Sequence, residues 1–229
     1  MMSVRMLIPA MMMAIASFTP VQAAPAEAEA PASAHHHPRA SATGAKTAST
    51  RAYLQAMQTM HRGMRTPLSG NVDVDFARQM MPHHQGALDM AEIQLRYGHD
   101  EELKRFNQWV IAAQTKEIGF MKNWLRRRDN GAAPAGASDY FAAAMQQMHH
   151  GMAITYTGDA DVDYVRGMIA HHQGAVDMAR VLLAQGTDPE LNALANDVFS
   201  SQTYEIAWMQ DWLKARGHMR CHQPANMPH

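Results

Sequence analysis

The 229-residue chain is poor in cysteine (one), in aromatics (7%) and in charge (18%), and its 20 basic and 21 acidic side chains nearly cancel. Each shortage excludes something. One cysteine leaves no intramolecular disulfide framework and no all-cysteine metal site. A formal net charge of −1 argues against nucleic acid as a partner, because a phosphate-tracking surface needs a clear basic excess. No Gly-x-Ser-x-Gly turn is present, and no glutamate is followed three positions later by histidine. That removes the nucleophile elbow of the α/β-hydrolases and the ligand pattern of a carboxylate-bridged di-iron centre.

What is abundant is methionine, with 21 residues, and histidine, with 14. Part of the methionine surplus has an ordinary origin. Residues 1–23 carry Arg5, an apolar run from Met6 to Phe18 and then Val21-Gln22-Ala23, the pattern of an export signal cleaved after Ala23. Met1, Met2, Met6, Met11, Met12 and Met13 belong to it. The run is shorter than the roughly 20 residues a bilayer span requires, so the mature chain is expected to be periplasmic or secreted, without a membrane span. Residues 24–50 are Ala-, Pro-, Ser- and Thr-rich with a His35-His36-His37 cluster, a composition that reads as a disordered tether.

The remainder is an internal duplication. A shift of 88 positions lays His83-His84-Gln85-Gly86-Ala87 on His171-His172-Gln173-Gly174-Ala175, and the register holds without a gap from Met57/Met145 to Leu125/Leu213. Repeat one spans 51–128 and repeat two 139–216. Between them, 129–138 is a Gly/Ala/Pro/Ser linker, and 217–229 is a tail containing His218, Met219, Cys221, His222, Met227 and His229. Each repeat predicts a short Met-rich helix (50–65, 139–154), a middle helix (74–97, 162–185) and a third helix (101–127, 189–216). Gly98 and Gly186 stop the middle helices, Asp100 and Asp188 cap the next ones, and Pro189 suits a first helical position. Asp75 and Asp163 are expected to cap the middle helices, and Pro82 to kink the first of them. Two long helices per repeat give an all-α, antiparallel four-helix bundle with approximate twofold symmetry, flanked by the two short helices.

Three groups of residues carry candidate chemistry. On the short helices Met57, Met60, His61 and Met64 share a face, and Met145, Met148, His149 and Met152 repeat it. Thioether sulfur is a soft neutral ligand suited to Cu(I) and Ag(I), and imidazole can hold copper in either oxidation state. A methionine stripe at helical spacing is equally what a core face looks like; the embedded histidine and the repetition favour metal. On the middle helices Met80, His83, His84 and Met90 are matched by Met168, His171, His172 and Met178. Adjacent histidines diverge by about 100° around a helix, so one of each pair is expected inside and the other against a neighbour or water. On the third helices Glu117 and Met121, and Glu205 and Met209, follow the apolar seam. A carboxylate there needs a partner or a cation, which makes Glu117 and Glu205 candidate ligands or acceptors for the histidines. The tail and the His35–His37 cluster are further candidates for soft metal.

The two His-His-Gln-Gly-Ala segments, with the later Gln114-Thr115-x-Glu117-Ile118 and Gln202-Thr203-x-Glu205-Ile206, resemble the bacterial secreted family known as domain of unknown function 305. The resemblance implies a ferritin-like four-helix fold built from two repeats, and an association of some members with periplasmic copper binding and tolerance. Together with the Met/His pattern it points to a non-catalytic periplasmic copper-binding protein. The expected ion is Cu(I), with Cu(II) or Ag(I) as alternatives, and copper export or transfer proteins are the expected partners. No catalytic residue and no organic cofactor are expected. A ferritin-like metal-dependent oxidoreductase and a metal-independent helical interaction module are the alternatives.

Overall fold

The computed structural model describes residues 46–128 and 139–218, and within them six helices and no strand. These are α1 (Ala48–Met64), α2 (Val72–Tyr97), α3 (Glu101–Arg126), α4 (Ala142–Gly151), α5 (Ala160–Gln185) and α6 (Pro189–Ala215). Residues 1–45, which hold the expected leader and His35–His37, residues 129–138, the expected linker, and residues 219–229 with Cys221 lie outside the described residues. Helix α1 begins inside the segment whose composition reads as tether. Thr47 starts it by accepting the Thr50 N–H at 3.1 Å, and Tyr53, 2% exposed, anchors it by donating to the Ala160 carbonyl at 3.0 Å. Helix α4 is the shorter of the two flanking helices, and Phe141 at its start supplies no side-chain cap.

The all-helical bundle expected from the period is what forms. Helices α2 and α5 are the central pair. Short turns fold α3 back along α2 and α6 back along α5, while α1 packs on α2 and α4 on α5. The methionines of the flanking helices are knobs in this packing. Met60 and Met64 are 3% and 1% exposed, Met148 and Met152 both 3%. Gly86 and Gly174 allow it: a Cβ at Gly86 would lie 2.6 Å from the Met60 sulfur, and one at Gly174 2.8 Å from that of Met148. The cost of glycine inside a helix, about 1 kcal/mol relative to alanine, is offset by that close approach. Helix α2 runs on through Pro82, whose ring lies where α1 crosses at Gly63.

The caps divide their work differently from expectation. Asn71 and Asp159 cap the middle helices, accepting from the N–H groups two and three residues on. Asp75 and Asp163 instead hold the preceding turns. Asp75 accepts from Ser69 and Gly70, and Asp163 from Thr157 and Gly158. Gly70 and Gly158 have φ of 75° and 87°, a conformation open to glycine at little cost. Asp73 and Asp161 reach across the molecule. Asp161 accepts from His99 N, Asp100 N and the Gln94 side chain, and Asp73 accepts from Thr187 and Asp188. Each repeat thereby fastens the helical turn of the other. Gly98 and Gly186 sit at these crossings in extended conformations, and a Cβ on either would strike the aspartate from the opposite repeat.

Candidate functional site

Helices α2 and α5 bring their four motif histidines into one buried row. All four are 0% exposed. The ring centres of His83 and His171 are 3.8 Å apart at the crossing of the two repeats, with His84 at 6.1 Å from His83 and His172 at 6.0 Å from His171. The 100° divergence of neighbouring histidines does not expose one of each pair, because these helices are covered on more than one side. Helix α3 or α6 receives His84 or His172, while the facing middle helix receives His83 or His171.

The outer histidines end on carboxylates. His84 Nε2 donates to Glu117 Oε2 at 2.6 Å, and His172 Nε2 to Glu205 Oε2 at 2.6 Å. Those glutamates, one per third helix, are the acceptors that their place on the apolar seam called for. Glu205 is the more enclosed, with 4% of its side chain exposed against 20% for Glu117. At the centre, His171 Nε2 donates to the His83 carbonyl at 3.0 Å. The Nδ1 atoms of all four histidines, and Nε2 of His83, are buried without a hydrogen-bond partner. Burial, then the positive charge each neighbouring imidazole would carry, holds the pKa of His83 and His171 well below the ordinary value of 6.5. Burial thus disfavours the charged form of both central rings.

A second cluster forms where α1 meets α4. The rings of His61 and His149 lie 4.8 Å apart, and Nε2 of His61 is buried without a partner. Burial, His149 and Arg65, in that order, lower the His61 pKa. Met57 and Met145, one turn earlier on the same faces, are only partly buried. His149 is exposed and His61 half-buried, so this cluster has access to solvent. Thus the stripe divides in two: Met57, His61, Met145 and His149 at the surface, Met60, Met64, Met148 and Met152 in the core. Met80, Met90, Met121, Met168, Met178 and Met209 are also core residues, all at most 4% exposed; Met90 packs its methyl on Gly167 of α5 at 3.0 Å from a would-be Cβ. Asp89 and Asp177 do not join the histidines; they accept from Gln85 and Gln173 on the surface.

Among the described residues, no three His, Cys, Asp or Glu side chains converge as a ready metal-ligand set. A cavity of about 410 Å³ opens on the outer face of α1, beside Lys46, Arg51, Gln58 and Arg62; it includes none of the Met/His candidates. Tyr164 is the residue that sequence reading passed over. It is 0% exposed, its hydroxyl has no partner, and burial followed by the negative charge of Glu205 raises its pKa well above 10.0. The sign of it in the sequence is a break in the duplication, since the matching residue of repeat one is Phe76.

Residues 73–213, the span holding both histidine pairs and both glutamates, match the family model for a domain of unknown function, DUF305. The chain belongs to the DUF305 family. Crystal structures of DUF305 proteins from Streptomyces coelicolor and Deinococcus radiodurans share its fold. The first has a TM-score of 0.53 and 29% identity, covering 68% of this chain and all of that one; the second has 0.50 and 26%, covering 66% and 99%. The protein CopM in its Cu(I)-bound form is similar at a TM-score of 0.50 and 35% identity over 62% of this chain and 96% of that chain, and its Ag-bound form at 0.50 and 34%. An uncharacterized protein of Acanthamoeba polyphaga mimivirus, L153, is 38% identical over 56 residues. This DUF305 chain spans little more than a third of that relative's length, 37%. No helix among the described residues is long and apolar enough to cross a membrane.

Proposed function

We propose that this chain is a non-catalytic copper-binding protein that acts outside the cytoplasm, holding Cu(I), and Ag(I) by the same softness, at Met/His ligands for sequestration or for transfer to export proteins. The observation that carries this reading is the meeting of His61 and His149 across two helices, with Met57 and Met145 one turn away. Two imidazoles cannot complete a hard-metal sphere, whereas two imidazoles with neighbouring thioethers suit a soft monovalent ion. The likeness to CopM, solved with Cu(I) and with Ag bound, supports the same ions, and the leader-like residues 1–23 support an extracytoplasmic setting. The test is anaerobic Cu(I) titration against a competing chelator, with Zn(II) and Fe(II) as controls. Replacing Met57 and Met145 by Leu and His61 and His149 by Gln weakens the tightest equivalent by more than about tenfold, or 1.4 kcal/mol. Unchanged affinity in that variant, or tighter binding of Zn(II), overturns the reading.

One observation favours a second reading, an interaction module. Trp109 and Tyr204 are 52% and 68% exposed, beside the stacked Phe106 and Trp208 that join α3 to α6. Binding of a partner by metal-free protein, unaltered by copper and lost in Trp109→Ala, would favour that reading over the first.

A further inference from the structure

Charge is divided unevenly between the two repeats. Residues 51–128 hold 12 Lys and Arg against 8 Asp and Glu, whereas residues 139–216 hold 4 against 10. The outer helices carry much of the difference: residues 101–128 have 7 basic and 3 acidic side chains, and residues 189–216 have 2 and 4. These two helices, α3 and α6, lie side by side and antiparallel. Phe106 of α3 stacks on Trp208 of α6, with ring centres 4.4 Å apart. Further along α3, and equally far back along α6, burial and then the negative charge of Glu117 raise the pKa of Asp197. On that register Trp109 stands within about one residue of the level of Tyr204, and Lys116 of the level of Asp197. Arg105, Trp109 and Lys116 follow one another at helical spacing on α3, as Asp197, Tyr204 and Asp211 do on α6. All six are exposed, and Trp109 and Tyr204 are the exposed large hydrophobic side chains among the described residues. They form one outer face, aromatic in its middle, basic along one helix and acidic along the other.

Such a face is complementary to itself. A two-fold axis running along the seam between α3 and α6 lays each copy's α3 over the other copy's α6 and keeps the levels matched. Trp109 then meets the partner's Tyr204, and Lys116 the partner's Asp197. Arg105 comes within reach of the partner's Asp211, and symmetry makes every contact twice. Laying α3 on α3 instead would set Arg105 and Lys116 among like charges, which works against that arrangement. Ala113 and Ser201, both small, lie between the aromatic and the charged levels, so the helices can approach closely there. The partner's Lys116 would also offset the crowding of Asp197 by Glu117. The size is adequate as well. Two helices of 26 and 27 residues side by side offer a face about 40 Å long and about 20 Å wide, which is about the 800 Å² per partner of a standard interface.

We propose that the outer α3/α6 face, centred on Trp109 and Tyr204 and flanked by Lys116 and Asp197, docks a second copy of this chain in a two-fold dimer. This names the partner for the interaction face of the second reading above, and it does not involve the Met/His cluster of α1 and α4. The test is sedimentation of the full mature chain, metal-free and with a reductant that keeps Cys221 from cross-linking. The expected result is a reversible dimer that weakens as salt is added, since exposed charge pairs are screened. Lys116→Asp alone and Asp197→Lys alone each weaken dimerisation by more than about tenfold, and Trp109→Ala does the same. All three side chains are exposed, so circular dichroism should show an unchanged fold. The decisive arm mixes the two charge variants: Asp at 116 of one then faces Lys at 197 of the other, Lys116 faces Asp197 across the second seam, and a mixed dimer forms where neither variant pairs with itself. The two substitutions in one chain likewise restore self-association. A chain monomeric at its highest soluble concentration overturns the proposal, as does a dimer indifferent to these substitutions or a mixture that does not pair. Trp109-dependent binding of a different protein by a chain that stays monomeric would overturn this dimer while leaving the interaction reading in place.

Discussion

Glycine shows at single-residue scale how the repeats are tuned. At Gly86 and Gly174 the neighbouring methionine occupies the space of a side chain, whereas nothing lies within 4 Å of a Cβ built on Gly119. Alanine is favoured over glycine by about 1 kcal/mol in a helix interior, and overpacking costs about 1–3 kcal/mol. Gly119→Ala is therefore expected to stabilise the protein by about 1 kcal/mol, and repeat two already has Ala207 at the matching position. Gly86→Ala and Gly174→Ala are expected to destabilise it by up to about 2 kcal/mol net, because three Met60 or Met148 atoms must move together. Urea midpoints of the three variants check the difference in sign.

The central histidines make a second prediction at this scale. Their folded pKa values lie below the ordinary 6.5 because of burial, so below pH 6.5 the unfolded chain binds protons that the fold does not. Stability contributed by the neutral rings is then complete above the unfolded pKa and falls as pH drops beneath it, by at most about 1.4 kcal/mol per pH unit for each histidine. Denaturation of metal-free protein between pH 7 and 5 is expected to show this loss, and His171→Gln to flatten it. Equal slopes in the two proteins would contradict neutral burial.

Between elements, the reciprocal aspartates carry the most weight. Asp161 takes two backbone N–H groups and the Gln94 amide from the other repeat. Removing its carboxylate strands donors beneath it, each costing about 1–3 kcal/mol. Asp161→Ala is expected to lower stability by about 2–4 kcal/mol, whereas Asp177→Ala, which loses only surface bonds to Gln173 and Arg180, should cost under about 1 kcal/mol. Comparing the two by chemical denaturation tests whether the crossings or the surface pairs hold the helices in place. Elements were the most legible level of this molecule in its sequence. Helix periods, the Asp100 and Asp188 caps and the Pro189 start are local signals, and they mark boundaries to within a few residues. The glutamates were legible too, since Glu117 and Glu205 interrupt an apolar seam. The crossings were not: Asp161 and its partners are 61 to 67 positions apart, and nothing local distinguishes Asp73 from Asp75. The burial of both histidines in each pair was hidden for the same reason, since it depends on which helix covers the far face.

For the molecule as a whole, the duplication has a physical consequence. Each repeat supplies one central helix, and the face of α2 that meets α5 carries His83 and Met90, against His171 and Gly167. Neither repeat can bury that face by itself, and each leaves the other's helical turn without its aspartate. A fragment of residues 46–128 should therefore lack a cooperative unfolding transition as a monomer. A fragment of residues 139–218, which carries the more apolar middle helix and Tyr164, should gain order only by pairing. Mixing the two is expected to give a 1:1 complex with the helicity of the intact chain, because the contacts between repeats do not require the covalent link. Circular dichroism and sedimentation of each fragment and of the mixture measure this. If residues 46–128 alone unfold cooperatively as a monomer, the central face is not what organises the bundle. If the fragments fold only together, the histidine row, in which His83 and His171 meet from opposite repeats, is a property of the paired repeats and of neither half alone.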